Sequence, residues 1–171
     1  MLAKTFLVSA ALITGLAVGA AQATVLTVGA GWVSDMVSTA TPNAPSDNSP
    51  LTFTLTGPAI FSIVDDYVVG DIYQVNDSSG AILTTNFSLL AAGWTLAAVG
   101  GDAAWANIGY SRGQLLFGPG SYSITVVDIL NNGIPAGLWE RLDAVPVPEP
   151  ASLAILGLGL AGLGMRRRRA G

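Results

Sequence analysis

The period-two run Leu51-Thr52-Phe53-Thr54-Leu55-Thr56 constrains this chain most. Apolar residues and threonines alternate for six positions, so one face of the segment is apolar and the other is hydroxylated. Only an extended strand sorts such a pattern onto two faces. Gly57-Pro58 breaks the run, and Ala59-Ile60-Phe61-Ser62-Ile63-Val64 reads as a second strand, antiparallel to the first. Residues 65–70 turn the chain. Asp71-Ile72-Tyr73-Gln74-Val75-Asn76 reads as a third strand, Asp77-Ser78-Ser79-Gly80 as a turn, and residues 81–85 as a fourth strand. Gly118-Pro119-Gly120 introduces the longest strand, residues 121–129, with Tyr122, Ile124 and Val126 on one side. Residues 137–144 form the last. Residues 25–28 suit an edge strand, and 41–50 a loop. Residues 86–113, rich in Ala and Gly, suit a loop with a short helical turn. Short strands with turns between them predict an all-β fold: a single antiparallel β-sandwich of jelly-roll type.

Both ends of the chain have another character. Lys4 precedes an apolar stretch over residues 6–20, and Ala21-Gln22-Ala23 fits a signal-peptidase site. Residues 1–23 are therefore expected to be a signal peptide and residues 24–145 the sandwich body. The C-terminal segment, 146–171, has three parts: alternate prolines at Pro146, Pro148 and Pro150, an uncharged run over 151–165, and Arg166-Arg167-Arg168-Arg169. As a helix, those fifteen residues would span about 22 Å. A hydrocarbon core is about 30 Å thick, so the run is short for a permanent span. The arginines keep the extreme C-terminus cytoplasmic and leave the body outside. The prolines hold Glu149 on extended backbone, which suits either a protease site or a spacer.

Val147-Pro148-Glu149-Pro150-Ala151-Ser152, the apolar run and the arginine cluster together resemble the PEP-CTERM sorting signal of Gram-negative bacteria. The resemblance implies a transmembrane sorting helix and an inner-membrane intermediate. It also implies recognition near Pro148, Glu149 and Pro150 by an exosortase, a membrane cysteine protease. Release to the cell surface or matrix of an exopolysaccharide-making organism would follow. The alternative is a plain membrane anchor behind a Pro-rich stalk. The run from Phe53 to Thr85, with Ile63-Val64-Asp65, Gly70-Asp71 and Tyr73-Gln74-Val75-Asn76-Asp77, also resembles a pattern found in the bodies of PEP-CTERM proteins.

Composition excludes several functions. The chain contains no Cys and no His, which removes thiol chemistry, disulfides and the commonest general base and metal ligand. The body keeps Arg112 and Arg141 against nine aspartates and Glu140, a net charge of −8. Such a surface does not bind nucleic acid, because it has almost nothing to neutralise phosphate.

Three constellations remain. A hairpin that returns Asp71 close to Asp65 would let Asp65, Asp66 and Asp71 bind calcium with loop carbonyls, although EF-hand spacing is absent; Asp77 falls at the far end of its strand. The same aspartates equally suit turn and edge positions. Trp94, Trp105 and Tyr110 share the 86–113 segment and could stack on sugar rings or cap the core; Trp32, Trp139, Tyr67 and Tyr73 are further aromatics of this kind. Glu140 and Asp143, three apart on a strand, face opposite sides and make a poor glycosidase pair. Arg141 is expected to pair with a nearby aspartate. The sequence thus points to a non-enzymatic surface or matrix protein, associated with exopolysaccharide. A calcium-stabilised carbohydrate-binding module is the alternative, and a glycan hydrolase the third reading.

Overall fold

A computed structural model describes residues 22–86, 100–130, 133–146 and 158. The expected signal peptide, up to residue 21, and the sorting segment from 147, residue 158 apart, lie outside them. Among the described residues no helix is long and apolar enough to cross a membrane. Among the described residues nine strands and one short helix follow in the order β1 (Thr24–Val25), β2 (Val33–Val37), β3 (Leu51–Leu55), β4 (Ala59–Asp66), β5 (Ile72–Asp77), β6 (Gly80–Thr84), α1 (Gly101–Ala106), β7 (Arg112–Phe117), β8 (Gly120–Leu130) and β9 (Ala136–Ala144). They form a five-stranded sheet, β1-β3-β8-β5-β6, and a four-stranded sheet, β2-β9-β4-β7.

The alternation of β3 does what its sequence predicts. Leu51, Phe53 and Leu55 are buried, and Thr54 is exposed. Antiparallel β8 sets Ile124 opposite Leu51 and Tyr122 opposite Phe53. Phe53, Phe117 and Tyr122 form a ring cluster with centroids 4.7 to 5.3 Å apart. The main core joins this face to Phe61, Ile63, Leu138 and Leu142 of the other sheet.

Two expectations need correction. β3 and β4 do not pair with each other, because they lie in opposite sheets. β4 sits instead between β9 and β7, and seven of its eight residues are buried. A strand covered on both faces belongs inside a sheet, with a partner strand on each edge. Val64 faces a second, smaller core with Val69, Ala104 and Tyr110, closed by Trp32, Trp105 and Trp139. The sheets are also not wholly antiparallel: β1 runs parallel to β3, with the Thr24 N–H bonded to the Pro50 carbonyl at 3.0 Å.

Tyr73 ties the two sheets together. It is fully buried in β5, and its hydroxyl donates to the Gly137 carbonyl of β9 at 2.9 Å. Tyr73→Phe should cost roughly 1–3 kcal/mol, since it strips a buried acceptor of its donor. Urea titration of the variant checks this.

Candidate functional site

Among the described residues, six carboxyl groups are buried in this sandwich. Asp35, Asp65, Asp66, Asp71, Asp128 and Glu140 are all at most 5% exposed. Strand register explains how all of them but Asp66 meet. Asp35 in β2 and Asp65 in β4 flank Leu138 of β9 from either side, and Glu140 lies one inward position further along β9. Asp128 of β8 stands opposite Tyr73. The turn after β4 folds back so that the Gly70 N–H donates to Asp65 Oδ2 at 3.3 Å. Ser111 donates to the Asp71 carbonyl at 2.6 Å and accepts from the Thr85 hydroxyl, and these bonds pin the chain there.

The environment acts against charge in this cluster. Burial, then the negative charge of Asp71, pushes the Asp65 carboxyl up to about 9. Burial, with Asp35 adding to it, holds Glu140 well above the ordinary carboxylate range. Burial also raises Asp35, against the N–H groups of Met36 and Asn48 that bond it at 2.7 and 3.0 Å. The Tyr73 phenol is raised by burial and then by the surrounding aspartates.

Asp65 and Asp71, expected beside each other, do interact. Asp66 turns to the opposite face of β4, where it accepts the Trp139 indole N–H and the Tyr67 N–H. Among the described residues no three acidic side chains form a group that could hold a metal ion. Asp77 caps its own turn, accepting from the Ser79 N–H at 2.7 Å.

The aromatic residues divide. Trp94 lies outside the described residues. Tyr110 is 3% exposed and belongs to the smaller core, so its ring is not presented to solvent. Trp105 is half-buried on α1 and meets Trp32, with centroids 5.7 Å apart. Both arginines of the body converge here. The Arg141 guanidinium lies 4.4 Å from the Trp32 centroid and 5.9 Å from that of Trp105, and Arg112 lies 5.4 Å from Trp105. Arg112 also donates to the Trp105 carbonyl. Arg141 pairs with aspartates as expected, at 2.8 Å from Asp143 and 3.5 Å from Asp102, and the Trp32 indole N–H donates to Asp102 at 2.8 Å. In the sequence alone Trp32 stands only among the general aromatics. No local sequence pattern marks this patch; the fold alone sets both cations of the body beside tryptophans.

Glycine permits the arrangement. A Cβ on Gly101, the first residue of α1, would lie 2.2 Å from Trp32 Cγ. Gly101→Ala should therefore push Trp32 off its seat at a cost of roughly 1–3 kcal/mol. The near-ultraviolet circular dichroism of the tryptophans should weaken with it.

Residues 146–169 match the family model described as the PEP-CTERM protein-sorting motif. No curated protein matches the chain. Among solved structures, the chain is similar to the pre-peptidase C-terminal domain of collagenase from Bacillus anthracis. The identity is 10%, the match covers 71% of this chain and 94% of that one, and the TM-score is 0.40.

Proposed function

We propose that this chain, which the PEP-CTERM motif marks for exosortase sorting to the cell surface, serves there as a non-enzymatic component of an exopolysaccharide matrix. The motif is the observation that carries the reading: a protein cut near Pro148-Glu149-Pro150 leaves its membrane segment behind and joins the surface layer as a bare sandwich. The distribution of carboxylates supports a non-catalytic role. Hydrolysis of a glycan needs two carboxyl groups facing one substrate across an open cleft. Here Glu140 and five aspartates are sealed between or beneath the sheets. Asp143 lies on the other side of β9 from Glu140, paired with Arg141.

The test uses the mature protein taken from the cell surface. Its intact mass should lack residues 1–23 and the arginine tail, and it should co-sediment with exopolysaccharide extracted from the same cells. A mass that retains Arg166 to Arg169, or a mature protein that stays in the supernatant, sinks the proposal.

A second reading, a carbohydrate-binding module, is favoured by the patch of Trp32, Trp105 and Arg141 with the exposed Asp102. Aromatic faces beside paired charges suit a sugar ring, with C–H groups against indole and hydroxyls on the carboxylate. This reading requires no calcium. Trp105→Ala should then lower affinity for the cognate glycan at least tenfold while leaving secretion intact. Unchanged affinity on a glycan array removes the patch from consideration.

A further inference from the structure

The chain leaves the body at one defined place. β9 ends at Ala144, and the Val145 N–H is still bonded to the Pro58 carbonyl at 3.0 Å. The apolar run begins at residue 151. Even fully extended, the intervening residues reach at most about 20 Å. While the run is in the bilayer, the end of the sandwich that carries Pro58 and Val145 is therefore tethered within that distance of the headgroups.

That end has an unusual composition for so acidic a body. Register places the turn at 56–58, the turn at 118–120 and the exit at 144–146 together, since Leu55 stands opposite Gly120 and Ala59 is flanked by Phe117 and Ala144. The 27–31 loop joins them through the Gly29 N–H, bonded to the Leu142 carbonyl at 2.8 Å. None of these four segments contains a charged residue. The nearest carboxylate, Asp143, is held by Arg141. Val28, partly exposed, and Pro58 line a shallow hollow with Val145. Asp35 and Asp65 lie beside Leu138, about 20 Å back along β9 from Ala144, and the 38–50 loop follows β2 beyond Val37, which stands opposite Ala136 at the far end of β9.

We infer that this uncharged end is a membrane-facing surface, which rests against the phospholipid headgroups while the precursor awaits processing. The inference rests on residues 151–165 being the membrane segment. An acidic body is repelled by an anionic bilayer over about one Debye length. A tether of five residues keeps this end within about 20 Å of the headgroups, and an end without charge can close that gap without repulsion. The surface then holds the Pro-Glu-Pro segment at the level where a membrane protease works.

The absence of native Cys allows single labels in the full-length chain. Thr56→Cys, at the exit end, and Thr41→Cys, at the far end, are both exposed sites; Ala154→Cys reports on the membrane segment. Each labelled chain is reconstituted in phosphatidylethanolamine–phosphatidylglycerol vesicles and quenched with nitroxide-bearing lipids. Headgroup nitroxide should quench the Thr56 label several-fold more than the Thr41 label, and acyl-chain nitroxide should quench the Ala154 label. Equal quenching at Thr56 and Thr41, with Ala154 inside the bilayer, overturns the docking surface alone. An Ala154 label untouched by acyl-chain nitroxide overturns the membrane reading beneath it.

Charge supplies an independent arm. Gly57 and Gly118 have open space around a Cβ and no left-handed backbone. Gly57→Asp with Gly118→Asp should therefore fold normally, yet raise the precursor-to-mature ratio in cells several-fold. Gly57→Ala with Gly118→Ala should leave the ratio unchanged. An aspartate pair that is processed as fast as the alanine pair overturns the inference.

Discussion

The mature protein should be most stable near pH 4 and lose stability steadily up to about pH 9. This runs opposite to ordinary acid denaturation, and Asp65 is one cause. Its carboxyl titrates at about 9 in the folded chain, against an ordinary value of 3.8. Between those values the folded state binds a proton that the unfolded state has released. Stability therefore falls as pH rises through the interval. Below pH 4 both states are protonated and the contribution is fully present; above pH 9 it is gone. So wide an interval corresponds to several kcal/mol at most, and relaxation around the charged form reduces this. Asp35 and Glu140 are raised in the same direction by burial and add to the slope. The ion pairs among the described residues join Arg141 to Asp102 and Asp143, away from this cluster.

Asp65→Asn isolates the effect. The amide has the shape of the protonated acid, and its oxygen can still accept from the Gly70 N–H. The variant should equal the parent at pH 4 and melt on the order of 10 °C higher at pH 8. Melting curves at half-unit steps of pH, followed by far-ultraviolet circular dichroism, would show the two profiles converging toward acid. Parallel profiles would mean that Asp65 ionises in the folded state at an ordinary pH.

Local pattern made much of this fold legible. β3, β5, β6, β8 and β9 each announced themselves by alternation or by a Gly- or Asp-rich turn at their ends. β2 and β7 did not. In β2 the inward positions are Val33, Asp35 and Val37, and an aspartate in the middle breaks the apolar stripe. β7 opens on Arg112-Gly113 and gains its strand character only from pairing with β4. Sheet membership was equally invisible for β3 and β4, because Gly57-Pro58 reads the same whether the chain turns within a sheet or crosses between two. Arg141 could be matched to aspartate from charge counting alone. The buried acid cluster could not: carboxylates default to the surface, and only the register of β2, β4, β8 and β9 brings these inside.

Replacing Glu140 with leucine should stabilise the protein at neutral pH by roughly 2–4 kcal/mol. Glu140 is fully buried on the central strand β9, between Leu138 and Leu142 on the inward face, with Val33 and Ile63 beside it. Neither carboxyl oxygen has a hydrogen-bond partner among the described residues. The fold thus either carries a desolvated charge or holds a neutral acid whose polar atoms are unsatisfied, and both cost free energy. Leucine removes the polar atoms and keeps most of the volume, so the site gains apolar contact without a large cavity. Glu140→Gln distinguishes the sources of the gain. It removes the titration but leaves a buried amide to satisfy, so it should flatten the pH dependence while recovering little stability at pH 4. Chemical denaturation of the three proteins at pH 4 and pH 8 decides the matter. The leucine variant should lead at both values and by more at pH 8. A leucine variant weaker than the parent at both would mean that this carboxyl holds the sheets together.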